Sequence, residues 1–400
     1  MRILYVAMKY DYGRPDQGLS FEHCNFYDSL LRMGHDILYF DFMTLFKEHG
    51  KESMNRLLAE VARVERPDLI FSVLFKDELD PTRLREVSDR YGVATLNWFC
   101  DDHWRFDNYS CRWAPCFTWI VTTAASALPK YAALGYRNVI KSQWACNHSS
   151  YRKMDLPLRY DVTFVGQPHG NRQQMIQSLR HAGISVRVWG RGWESGRISQ
   201  DEMIRVFNQS RINLNLANAS MPVAAAAAPV EHATVAPSGR MRTRISRTLD
   251  KIPFGSRVKA VGKAWLRTSG DTASVSDGSE ATENSGVCYS EQIKGRNFEV
   301  PGCGGFVLTG RAENLEQYYE NGKEVVIFDD RNDLIEKIRY YLRHESERAA
   351  IARAGYDRTL REHTYALRFR DIFRQMGMAG NAVGHRADAE VQPGTTHEVK

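Results

Sequence analysis

Short apolar runs alternate with helix-period segments over the first 150 residues, and few folds accommodate that alternation. The runs at 3–8, 36–42, 68–74, 94–99, 118–123 and 139–144 read as strands covered on both faces. A helix is expected at 19–33, with Phe26, Leu30 and Met33 on its inner stripe, Ser20 near its start and Gly34 as its stop. Further helices are expected at 56–64 and 82–91. Strand–helix–strand units of this kind build a mostly parallel, doubly wound sheet whose working loops lie at the carboxyl ends of its strands. The rhythm restarts after the short polar connection 153–157, with strands at 162–165, 186–189 and 212–216 and helices at 172–182 and 201–209. It resumes with strands at 306–308 and 325–328 and a helix at 332–343. The expectation is therefore an α/β chain of two Rossmann-like doubly wound domains, 1–153 and 158–375, facing across a ligand-sized cleft.

Four hundred residues, 43% apolar and 11% aromatic, suffice for two cores. A net charge of +6 is too small for a whole-protein nucleic-acid field. Much of it sits in one place. From about 217 to 290 the chain turns Ala-, Ser-, Thr- and Gly-rich and loses its period, an insertion in the second domain. Within it, 239–267 carries nine Lys or Arg against one acid, Asp250, interleaved with apolar residues that include Phe254 and Trp265. That pattern suits peripheral contact with an anionic membrane. A solvated loop with no partner fits as well, and so does a phosphate-gripping nucleic-acid binder. No nucleic-acid-binding module surrounds the segment, so no specific nucleic acid is expected. The tail 378–400 reads as disordered. Seven Cys without a CxxC pair fit a reduced interior. The start, 1–8, reads as a strand and not as a signal peptide, and no apolar run nears the roughly 20 residues of a membrane span. A cytoplasmic chain, membrane-associated only by recruitment, is expected.

Chemistry-bearing residues concentrate at 291–306. Glu291 and Glu299 flank Lys294 and Arg296, and Gly302, Gly304 and Gly305 lead into the next strand. Cations beside a diphosphate, amides at a helix start and a carboxylate for ribose hydroxyls would use this pattern. A solvated helix end followed by a glycine turn would show it too. Gly166, His169 and Arg172 lie in a strand-to-helix loop suited to a phosphate or sugar contact, or to a plain turn. Trp189 and Trp193 bracket a further turn that could stack a base or merely pack. Asp101, Asp102 and His103, with Arg105, follow a strand end and could supply the base that an acceptor hydroxyl needs. Pairing of Asp102 with Arg105 is the structural alternative. The first loop, 10–18, opens onto the cleft without G-x-G-x-x-G, which argues against a dinucleotide oxidoreductase.

Five segments carry a resemblance: 97–106, 295–309, 319–328, 334–342, and 348–355 with 363–365. Together they resemble CgeB-like, group 1-type glycosyltransferases, over 1–216 and 289–375. The resemblance implies a GT-B fold with the donor nucleotide held mainly by the second domain. It implies a Glu-x7-Glu motif at Glu291 and Glu299, with Glu299 on the donor ribose. Lys294 and Arg296 would face the diphosphate and neutralise the departing nucleotide. Gly166, His169, Arg172, Gly304 and Gly305 are grouped with them as donor-binding residues. No metal and no cofactor are expected beyond a nucleotide-sugar co-substrate, and no Asp-x-Asp motif is present. The expected reaction moves the sugar to a glycan, a lipid-linked acceptor or a protein. A non-catalytic nucleotide-sugar-binding or scaffold protein would keep the same donor residues.

Overall fold

The computed structural model describes residues 1–222 and 289–378. The basic segment 239–267, with the rest of 223–288, and the tail from 379 lie outside the described residues.

Six strands form the first sheet: β1 (Arg2–Val6), β2 (Asp36–Phe40), β3 (Leu69–Ser72), β4 (Ala94–Phe99), β5 (Trp119–Thr122) and β6 (Val139–Lys141). All pair in parallel, in the order β2-β1-β3-β4-β5-β6. Side chains alternate faces along a strand, and both faces here are covered. Leu4 and Val6 join a core with Leu58 and Val61 of the helix Phe42–Glu65 and Leu84 of Pro81–Tyr91. Ile3 and Tyr5 point the other way, into a core with Phe26 and Leu30. This double burial is why the strands read as unbroken apolar runs. The helix expected only at 56–64 starts earlier, with Asp41 accepting from the Thr44 amide. Gly50, at φ 76°, interrupts its period and hid the first half.

The second sheet holds β7 (Tyr160–Val165), β8 (Val186–Trp189), β9 (Ser210–Asn215), β12 (Val307–Gly310) and β13 (Val326–Phe328), parallel in the order β13-β12-β9-β7-β8. The two ends of the insertion pair with each other, β10 (Asn218–Pro222) antiparallel to β11 (Tyr289–Glu291). One helix departs from the expected division of the chain. Tyr365–Gln375, grouped by sequence with 158–375, packs on the first sheet. Its Phe369 ring lies 5.6 Å from Phe26 and 5.8 Å from Phe71. Periodicity shows that a helix has an apolar face, and does not show which sheet that face will meet. The backbone is joined where it returns: the Cys146 N–H donates to His363 O at 2.8 Å, and the Tyr365 N–H to Cys146 O at 3.0 Å.

Candidate functional site

The carboxyl ends of the two sheets face each other. Loop residues after β1, β4 and β5 touch loop residues after β8 and β12. Arg197 pairs with Asp11, and the Arg191 guanidinium lies over the Tyr12 ring at 6.0 Å. The Ser126 amide and hydroxyl donate to the Glu313 carboxylate at 3.0 and 3.2 Å. The Lys141 ammonium donates to the Tyr318 hydroxyl at 3.2 Å. Between the walls lies a cavity of about 660 Å³, lined by Asp11 and Phe21 on one side and Gly166, Gln167, Arg191 and Arg296 on the other.

The second-domain wall is built tightly. A Cβ on Gly190, which sits at φ 144°, would come within 2.2 Å of Gly166 O, so the loops after β7 and β8 meet only because that residue is glycine. The Trp193 indole N–H donates to the same Gly166 oxygen at 2.7 Å, so Trp193 secures the turn. Arg172 is buried and fixed by donating to Gln167 O at 3.1 Å and Leu216 O at 2.8 Å. The chain at Lys294 is held by its own amide, which donates to Asn297 Oδ1 at 3.0 Å. Asn297 is buried with Asn215 and Thr309, which tie it to β9 and β12.

These loops gather positive charge. Burial, reinforced by Arg172, pushes the Lys294 ammonium down to about 7, and Asp101 opposes the shift. Burial, with Arg172, Lys294 and Arg191 nearby, pushes the His169 imidazole down to about 4. Burial and Arg296 bring Arg172 itself down to about 10. Burial first and neighbouring cations second disfavour protonation on this wall, and an anion placed there would oppose both. Of the sequence-derived donor residues, Gly166, His169, Arg172, Lys294 and Arg296 come together here.

Glu299, Glu291, Gly304 and Gly305 do not join them in the expected way. Glu299 is fully buried behind Arg296, which it pairs with, and Tyr151 hydrogen-bonds to it. It orients the guanidinium from behind and is not part of the cavity lining. Glu291 is exposed on β11, where the charges acting on it are Arg311 and Asp329. The spacing of seven thus does not bring the two carboxylates to one place. Gly304 and Gly305 precede β12, at the end of the sheet away from the cleft. A Cβ on Gly305 would lie 2.9 Å from Asn213 Nδ2 and 3.0 Å from Phe207 O, so that glycine serves packing.

On the first-domain wall the expected trio separates. Asp101 lines a smaller adjoining cavity. Asp102 turns inward, accepts from the Tyr131 hydroxyl at 2.9 Å and is pushed up to about 6 by burial, so it is a structural group. Its expected alternative partner, Arg105, instead donates to Phe75 O at 2.9 Å. His103 Nε2 lies 3.4 Å from Glu313 Oε2, and burial pushes the imidazole down to about 4, making it part of the contact between domains. Sequence reasoning missed Glu22 and Asp11, which line the same smaller cavity as Asp101. Asp11 lies in the loop noted at 10–18, and Glu22 lies in the helix expected at 19–33, two positions beyond Ser20.

Two doubly wound parallel sheets, meeting at their strand ends around a cleft with a cationic second wall, make a GT-B fold. The chain belongs to the glycosyl transferase-like family, whose model matches residues 171–241 and 240–374. It is 23% identical over 248 residues to the spore protein CgeB of Bacillus subtilis strain 168, covering 62% of this chain and 64% of that protein, less than two thirds of its length. Among solved structures it is similar to HepE of Anabaena, crystallised with UDP-glucose, at a TM-score of 0.57 and 10% identity over 94% of this chain and 99% of the other. Sucrose-phosphate synthase of Thermosynechococcus elongatus matches at a TM-score of 0.55 and 9% identity, over 95% and 100%. These likenesses establish the fold. Among the described residues no helix is long and apolar enough to cross a membrane.

Proposed function

We propose that this glycosyltransferase is cytoplasmic and takes its sugar from a nucleoside diphosphate sugar bound chiefly by the second domain. The sugar passes to a hydroxyl of a glycan, lipid-linked or protein acceptor presented by the first domain. The observation that carries this reading is the gathering of Lys294, His169 and Arg172, whose protonation burial lowers and neighbouring cations lower further, beside Arg296 on the cavity wall. A diphosphate placed there relieves the repulsion, restores the Lys294 proton and forms charge-assisted hydrogen bonds. As the glycosidic bond breaks, negative charge grows on the leaving diphosphate, and preoriented cations lower that barrier most. On this reading the side-chain cations do the neutralising and no metal ion is called for. The complex of HepE with UDP-glucose supports a uridine nucleotide as the first probe.

Calorimetry with UDP, GDP, ADP and dTDP tests the reading. At least one should bind, and Lys294→Gln should weaken it by about 1.5–3 kcal/mol, the scale of a hydrogen bond to a charged group. Absence of binding to all four by the wild-type chain would overturn the donor assignment.

A further inference from the structure

A further cavity, of about 340 Å³, lies beside the backbone bonds that join Cys146 to His363 and Tyr365. Among the described residues it shares no lining residue with the donor cavity. Its wall comes from both domains. Arg32 belongs to the helix Asp28–Arg32 and Arg370 to Tyr365–Gln375, and Leu30 and Phe369 of these helices pack in a core of the first sheet. Arg361 lies in the last turn of the helix Glu345–Glu362, whose Ile351 packs in the core of the second sheet. His148 and Ser149 complete the wall, on the chain that leads from one domain to the other. That chain is fixed, because the buried Asn147 amide donates to Asp28 Oδ2 and to Cys24 O, each at 2.8 Å.

The chemistry of this wall is one-sided. Among the described residues three guanidinium groups and one imidazole line it, and no carboxylate does. Arg32 donates through Nε to Asp28 at 2.9 Å, and Arg361 through Nε to Glu362 at 2.9 Å. Each keeps its two terminal nitrogens without a hydrogen bond to the described residues. Arg370 makes neither a hydrogen bond nor an ion pair among the described residues. Burial first, then Arg370 and Arg32, hold the His148 imidazole below its ordinary value, so these cations converge on one ring. Thr364 Oγ1 accepts from the Leu367 amide at 3.4 Å and keeps its own proton for another acceptor. The wall thus holds a surplus of donors and an uncompensated positive charge.

We propose that this cavity binds a phosphate group, free or as the monoester of a small polar molecule, at a site separate from the donor cavity. A guanidinium can meet two phosphate oxygens at once, and three of them on one concave wall match a dianion. The Ser149 and Thr364 hydroxyls add neutral donors. A carboxylate, with two oxygens, would leave a donor set of this size partly unused. The volume falls in the range of small-molecule pockets, roughly 300–1,000 Å³, and Met33 offers an apolar surface to an organic body. A ligand held by Arg32 and Arg361 touches both domains, so its binding adds a link between them outside the donor cavity.

Calorimetry on the full chain with inorganic phosphate and with ribose 5-phosphate tests the site, with ribose as the uncharged control. At least one phosphate should bind the wild-type chain, and ribose should not. Arg370 is exposed, so Arg370→Gln should keep the thermal midpoint of the unliganded chain. It should weaken phosphate binding by about tenfold or more, the scale of a lost hydrogen bond to a charged group. Lys294→Gln, on the donor wall, should leave that binding as it is. Tighter binding of ribose 5-phosphate identifies a monoester as the ligand, and equal or tighter binding of inorganic phosphate identifies the free anion. Binding of neither phosphate overturns the proposal. Binding that Lys294→Gln removes and Arg370→Gln leaves intact places the anion in the cleft and overturns it as well.

Discussion

The two sheets of this molecule share an architecture and present opposite chemistry at equivalent places. The strand ends of the first carry Asp11, Glu22 and Asp101. Those of the second carry His169, Arg172, Lys294 and Arg296, and each side shifts its own titrations: Glu22 up to about 7, Lys294 down to about 7. The doubly wound fold fixes where a reacting group can stand, and a few loop residues decide what it does there. A basic wall and an acidic wall are here made from the same strand–loop–helix plan. Their adjacency is what the proposed transfer would use.

The contrast can be broken most forcefully behind the basic wall. Glu299→Gln removes the buried partner of Arg296, and losing one half of a buried pair costs about 3–5 kcal/mol. Urea unfolding should show that loss. A variant of unchanged stability with lost nucleotide affinity would instead place Glu299 on the ligand. A smaller effect sharpens the contrast through pH. Lys294 binds a diphosphate best when protonated, so nucleotide affinity should hold below about 7 and weaken above it. The slope is tenfold, about 1.4 kcal/mol, per pH unit until the bound-state value is reached. Nucleotide affinity flat in calorimetry from pH 6 to 9 would remove Lys294 from this role. The smallest effect falls on the seam. Arg197→Ala removes a partly exposed pair with Asp11 and should change unfolding free energy by less than about 1 kcal/mol, with a shift confined to KM.

How much of this was legible in the sequence varied with the kind of constraint. Strands buried on both faces announce themselves, and the expected run at 3–8 is β1 with the residues that follow it. Lys294, Arg296 and Arg172 were legible as cations at loop positions that doubly wound domains use for ligands. Glu291 was misplaced because spacing along a chain says little across a turn, and β11 carries it outward. Asp102 follows Asp101 directly, yet their side chains part, one to Tyr131 and one to the cavity. Glu22 gave no signal, since its meaning depends on Asp11 and Asp101, which only the folded chain brings near.

The backbone seam at Cys146, His363 and Tyr365 has a mechanical consequence. The polypeptide crosses the gap twice, going out after residue 146 and coming back before 365, and those crossings are fastened side by side. Two strands pinned together at one spot behave as an axle. Rotation of the halves about it would open or shut the cleft, like a book on its spine, without straining either crossing. Sliding past one another or drawing apart would strain both crossings at once. Motion that leaves both crossings intact is thereby reduced to one angle.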